Sequence, residues 1–307
     1  MDPYLASEMF ALGLAFGSFL NVCIYRLPRG ISVIRPGSTC PGCKLAIRFY
    51  DNVPILSWLI LRGRCRNCTS RITPRYLIVE LLTGAIFLAC YAYFGWTLAM
   101  LKYCTLGFLL LGLIFTDAET QLLPDKLTIT GLAIGLVFSL LVPVNDLASQ
   151  LLPGVVTLPV SSDISWRFLS LVDSGLGAIV GASFIYGAGA IYLRARGVEG
   201  MGFGDVKLMG MIGAFLGIKL TIFTIFTASI AGSLFGLSTV LAVWLKRTRR
   251  RMVRFHEPIS EARKHARRSA VIALRHHQMP FGVFLGGMAM IAFFFGDRFL
   301  HWYWGLL

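Results

Sequence analysis

Hydrophobic residues in this chain gather into eight long runs, near residues 5–25, 77–95, 98–116, 127–143, 173–193, 206–218, 220–245 and 281–304. A helix needs roughly 20 apolar residues to cross a bilayer. The pattern therefore predicts an all-α polytopic membrane protein with about eight transmembrane helices, the sixth of which spans only when its flanks are included. Polar residues collect between the runs. The one sizeable polar insertion, residues 26–76, is rich in Arg, Pro and Gly and is expected to fold as a small module. Residues 144–172, bordered by Pro143 and containing Pro153 and Pro159, read as an exported loop. Residues 246–279 open with the Lys246 to Arg251 charge run and continue with helix-forming, Arg-rich sequence, which suits an anionic lipid surface or plain solvent about equally.

Composition agrees with this pattern. At 56% hydrophobic and 14% charged residues, with a mean hydropathy of +0.71, the chain is too apolar for a soluble protein of 307 residues. Charge sets the orientation, because Lys and Arg are retained in short cytoplasmic loops. Of 29 basic residues, 21 lie between Arg26 and Arg75 or between Lys246 and Arg275. Eight crossings from an exported amino terminus place both stretches in the cytoplasm, with Arg194, Arg196 and Lys207, and leave Lys102, Arg167, Lys219 and Arg298 to the opposite loops. Asp2 and Glu8 precede the first run with no basic segment before it, so a cleavable signal peptide is not expected. The net charge of +14 is thus a topology signal. The basic runs lack interleaved stacking aromatics, so membrane lipids, and no nucleic acid, are the expected partners.

Within the insertion, Cys40-Pro41-Gly42-Cys43 and Cys65-Arg66-Asn67-Cys68 form two CxxC knuckles. Each presents two thiolates to one tetrahedral ion, and the intervening residues can bring the pairs together in a zinc-ribbon-like arrangement. Two disulfides are the alternative, disfavoured by the reducing cytoplasm. Four protein ligands leave no open position, which assigns the zinc a structural role. Cys23, Cys90 and Cys104 lie in apolar runs and read as small buried side chains.

Carboxylates at the edges of apolar runs are costly and mark candidate sites. Asp117 follows the third crossing and Asp205, in Gly202-Phe203-Gly204-Asp205, precedes the sixth, so the topology brings both to the cytoplasmic face. Two close carboxylates share a proton, which leaves one acid and one base able to activate water. Gly202 and Gly204 remove bulk before Asp205 and would let backbone or an extended substrate strand approach closely. Pro124 discourages helix at Leu123, so residues 117–125 are expected to break or turn. The plain alternatives are an N-cap role for Asp205 and an ion pair of Asp117 with Lys207 or Lys126. Glu119 and Asp125 read as interfacial or substrate-contact groups. Glu80 is a polar site with no assigned chemistry, and Asn21 is placed to bond between helices. The fifth run carries a Gly177-x-x-x-Gly181 spacing that permits close helix packing.

Taken in order, Gly17-Ser18-Phe19-Leu20-Asn21-Val22 with Tyr25-Arg26-Leu27-Pro28, the two knuckles, Asp51-Asn52-x-Pro54, Asp117 through Leu123-Pro124-Asp125, Gly202-x-Gly204-Asp205-Val206-Lys207 and Pro280-Phe281-Gly282 resemble the type IV prepilin peptidases. The resemblance covers nearly the whole chain. It implies a GxGD membrane aspartic protease of the bacterial inner membrane with Asp117 and Asp205 as catalytic pair, acting on type IV prepilins or type II secretion pseudopilins. It also implies N-methylation of the new amino terminus with S-adenosylmethionine, associated with the amino-terminal half and the cysteine module. The chain then divides into a first transmembrane segment (1–25), a four-cysteine module (26–76) and a peptidase domain (77–307). Two departures stand out: the basic segment 246–279 is longer than the family's usual, and Val283 replaces an expected proline. Neither is expected to touch the acids. A proton- or cation-coupled transporter is the alternative, distinguished by acids near the bilayer midplane and internal repeats. A non-catalytic scaffold with a zinc module would keep its function when either acid became asparagine.

Overall fold

The computed structural model describes residues 2–35, 37–40, 42–143, 162–198, 202–255, 258–261, 263–267 and 280–304. The elements are α1 (Pro3–Arg26), the short α2 (Leu56–Ile60), α3 (Arg75–Phe94), α4 (Leu98–Thr120), α5 (Asp125–Leu141), α6 (Ser162–Arg196), α7 (Phe203–Phe255) and α8 (Phe281–Ile291). A π-helical turn then leads from α8 into α9 (Asp297–Trp304). No strand occurs among the described residues beyond two isolated bridges.

Among the described residues, six helices are long and apolar enough to cross a membrane. The expected eight is recovered from two further facts. Helix α5, at 17 residues, is just short of a full span. Helix α7 is two limbs meeting at Gly217, whose backbone (φ 74°, ψ 178°) only glycine adopts readily. The limbs fold back on each other. A Cβ on Gly181 of α6 would meet both Met209 O at 2.9 Å and Thr221 Cγ2 at 3.0 Å, so residues on either side of the bend stand at one level. Gly177 and Gly213 bring α6 and α7 into backbone contact, where a Cβ on Gly213 would lie 2.2 Å from Gly177 O. The glycine spacing in the fifth run is therefore a packing device.

Helices α1, α3 and α4 pack as one group and α5, α6 and α7 as another, with α8 lying against both α4 and α7. In the first group Gly17 is needed because a Cβ there would sit 2.7 Å from the Glu80 Cα, and Asn21 Nδ2 donates to Tyr76 O across the α1–α3 seam at 3.0 Å. The main core joins Leu106, Leu110 and Leu113 of α4 to Leu208, Ile212 and Phe215 of α7 and to Leu285 of α8. Cys23, Cys90 and Cys104 are buried, as their apolar runs imply.

Two expectations are corrected. Residues 162–172 belong to α6, which begins at Ser162; residues 144–161 of the anticipated loop lie outside the described set. Lys102 is not a loop residue: it lies one turn inside α4, fully buried, with Asp173 of α6 within electrostatic reach and no hydrogen bond to its Nζ. The basic segment after the seventh run begins as a continuation of α7 to Phe255, and residues 268–279 lie outside the described set.

Candidate active site and metal centre

Asp117 and Asp205 come together. Asp117 lies in the last turn of α4, which ends at Thr120 when Gln121 turns left-handed (φ 53°) and donates its amide to Asp117 O. The break is thus narrower than expected, residues 121–124, before Pro124 caps α5. Asp205 sits in the first turn of α7, whose helix starts at Phe203, so it is a first-turn acid and not the N-cap. Gly204 allows close approach of a neighbour within the chain: a Cβ there would meet Leu123 Cβ at 3.0 Å, which docks the Leu123-Pro124-Asp125 segment against the start of α7. Of the two expected occupants of the space at Gly204, a segment of the chain itself is the one found there.

The third wall of the site is the amino terminus of α8. Pro280 is its N-cap, and the Val283 amide donates to Asp117 Oδ2 at 3.1 Å. First-turn amides have no partner within their own helix and carry the positive end of its dipole, so they suit a carboxylate. Val283 therefore does touch the pair, contrary to expectation. Gly282 lies between the two acids: a Cβ there would stand 2.8 Å from Asp117 Oδ2 and 3.4 Å from Asp205 Oδ1. The two carboxylates are consequently no further apart than the sum of those distances. Both residues are buried, at 5% and 8% exposure.

No Lys or Arg pairs with either acid among the described residues. The nearby cations are matched elsewhere: Lys207 bonds Asp125 at 2.6 Å, and Arg75 bonds both oxygens of Glu119 at 2.6 Å, tying the start of α3 to the end of α4. This removes the ion-pair alternative for Asp117 and gives Glu119 and Asp125 partners of their own. Gly282 and Val283 are the site residues that sequence reasoning left unassigned. A proline immediately before an apolar run, as at Pro280-Phe281, is the signal that a helix begins there.

The four knuckle cysteines also converge. Their Sγ atoms all lie within 4.8 Å of one another, with Cys40 and Cys68 at 3.7 Å. A tetrahedral ion with Zn–S bonds of about 2.3 Å requires S···S separations of about 3.8 Å. The knuckles repeat one design: Lys44 N donates to Cys40 O and Thr69 N to Cys65 O, and both donors are left-handed, with φ of 61° and 55°. The Cys43 amide draws the Cys40 thiol down to about 6 and the Ser70 hydroxyl draws Cys68 below the usual thiol range, while the neighbouring sulfurs help push Cys43 up to about 11, so without a cation the crowded sulfurs do not all ionise together. Arg66 braces the second knuckle on Asp51 through a two-oxygen contact and holds that carboxyl below its ordinary range. The module is joined to the membrane bundle by Glu80, whose Oε2 accepts the Ile55 amide at 2.8 Å, and by Arg26, which donates to Ser32 O and Gly37 O.

A family model described as the bacterial Peptidase A24 N-terminal domain matches residues 11–94, and one described as the type IV leader peptidase family matches residues 104–237. A prepilin leader peptidase/N-methyltransferase of Neisseria gonorrhoeae is 34% identical, the match covering 76% of this chain and 81% of the relative. One of Klebsiella pneumoniae is 36% identical over 74% of this chain and 92% of its own. One of Aeromonas hydrophila is 31% identical over 97% of this chain and 93% of its own. No solved structure matches at the same standard.

Proposed function

This chain belongs to the type IV leader peptidase family, and from that premise we propose that Asp117 and Asp205 cleave the basic leader from type IV prepilins or pseudopilins at the cytoplasmic face of the bacterial inner membrane. The enzyme is a membrane protease that is also an N-methyltransferase. The observation that supports the residue assignment is the meeting of Asp117 and Asp205 at Gly282, both buried and neither paired with a cation among the described residues. With one proton between them, the ionised carboxylate takes a proton from water as its oxygen attacks the scissile carbonyl. The protonated one donates to the carbonyl oxygen; the tetrahedral species then collapses as the carboxyl that took water's proton passes it to the leaving amide nitrogen and the other carboxylate takes a proton back from a hydroxyl of that species, which restores the starting pair. The Val283 amide holds Asp117 in place, and the two flanking ion pairs keep other charges off the pair.

For the metal, the sulfur set suits one zinc held by Cys40, Cys43, Cys65 and Cys68 in a closed, structural site that organises residues 40–68. Among the described residues no comparable set is assembled for S-adenosylmethionine. In the amino-terminal half Glu80 is a carboxylate suited to a cation, yet its Oε2 is committed to the Ile55 amide and no glycine-rich binding loop accompanies it. No step of methyl transfer is therefore assigned to a residue. We read the chain as a first transmembrane segment (1–25), the four-cysteine module (26–76) and the peptidase domain (77–307). Nothing favours the transporter alternative, since the acids lie at helix ends near basic loops.

Incubating the detergent-purified protein with a prepilin and S-adenosylmethionine, then measuring intact mass, tests this reading. The expected product lacks the leader and is heavier by one methylation than the bare mature pilin; unprocessed prepilin would refute it.

A further inference from the structure

Resting on the assignment of Asp117 and Asp205 as the catalytic pair, we propose that Gly282 is a positioning residue that keeps vacant the place where the hydrolytic water sits between them. The point a Cβ of residue 282 would occupy is 2.8 Å from Asp117 Oδ2 and 3.4 Å from Asp205 Oδ1. A water hydrogen-bonded to a carboxylate lies about 2.6–3.2 Å from its oxygen. The point is therefore within bonding distance of one acid and a few tenths of an ångström beyond it from the other. Any side chain at residue 282 would fill that place. Asp117 cannot simply swing aside, because its Oδ2 is held by the Val283 amide from the same helix turn. The backbone at Gly282 is ordinary helix, so the requirement for glycine comes from the space beside the acids and not from an unusual φ.

Gly286, one turn along the same helix, supplies the control. A Cβ there would meet Ile114 Cγ1 at 2.7 Å, a contact as tight as that at Gly282 but made with an apolar side chain of α4 away from the acids. The experiment compares wild type, Gly282→Ala, Gly286→Ala and Asp205→Asn in one prepilin cleavage assay, with melting temperature in detergent as the measure of folding. Gly282→Ala is expected to lose at least about a hundredfold in kcat, the scale of a displaced acid–base step, with KM close to wild type. Gly286→Ala is expected to melt earlier while keeping its kcat. The proposal is overturned if Gly282→Ala retains kcat, or if both glycine variants lose it equally. If Asp205→Asn itself cleaves, the catalytic assignment fails instead. Should Gly282→Ala not fold, a high-resolution structure of the wild type decides: an ordered water must bond Asp117 Oδ2 and Asp205 Oδ1 on the Gly282 side. Ordered carboxylates with no water there would overturn the proposal.

Discussion

Removing the Glu80 carboxylate should loosen the four-cysteine module from the membrane bundle without dismantling either. Glu80 Oε2 accepts the Ile55 amide at 2.8 Å, and Ile55, β-branched, is held at a φ of 62°. Such a conformation costs on the order of 1–3 kcal/mol and persists only when its surroundings enforce it. A hydrogen bond to a charged group contributes about 1.5–3 kcal/mol. The strain at Ile55 is present before and after substitution, and the other Glu80 contact is with Ser18 inside the bundle, so what Glu80→Ala takes from the 53–57 segment is the Ile55 bond, and opening of that segment should become about 10- to 150-fold more populated. Glu80→Gln keeps a neutral acceptor and should shift the equilibrium less. Hydrogen exchange of detergent-purified protein reads this directly: amides around Ile55 should exchange faster in the order wild type, Gln, Ala, while those of α4 and α7 stay unchanged. Cleavage of prepilin should survive, and methyl transfer should fall more. Unaltered exchange at residues 53–57 in a folded Glu80→Ala protein would refute the anchoring argument.

Replacing Cys40 and Cys43 together with serine should remove about one zinc per chain, measured by metal analysis, and leave the acid pair's cleavage largely intact. Equal zinc in wild type and variant would contradict the tetrad, and intact disulfides in the wild type would also reverse the cytoplasmic placement of the module. Gly213→Ala should destabilise by about 3 kcal/mol, the upper range for overpacking, since its Cβ would fall 2.2 Å from the Gly177 carbonyl and 2.5 Å from the Ala178 amide, both backbone. Gly236→Ala, with open space around it, should be neutral or mildly stabilising, and equal melting temperatures for the two variants would be inconsistent with the tight α6–α7 crossing.

The membrane fold was legible because hydrophobic run length and the Lys/Arg bias act residue by residue. The boundary between runs 206–218 and 220–245 fell two residues past Gly217, where the chain reverses. Topology put Asp117 and Asp205 at one membrane face, the condition for their meeting, which the packing of α8 completes, and the knuckle spacing anticipated the sulfur cluster. Which helix terminus would close the site was not legible, because packing of α8 against α4 and α7 is a long-range contact without a periodic signal. Val283 consequently read as a remote departure although it donates to Asp117. Lys102 was misplaced for a related reason: charge counting treats every lysine as a loop residue, whereas the bundle interior can hold one near an acid such as Asp173. Gly204 was left open between the chain's own backbone and a substrate strand because nothing in the sequence identifies Leu123 as its neighbour.

The central claim is that Asp117 and Asp205 together hydrolyse the leader peptide bond, and intact-mass analysis of a prepilin incubated with each single asparagine variant tests it most directly. Asp117→Asn and Asp205→Asn should each leave the prepilin at its full mass while keeping the melting temperature and zinc content of the wild type, because the loss is of an acid–base group and not of a packing contact. Near-normal appearance of the shortened pilin with either folded variant would contradict the account.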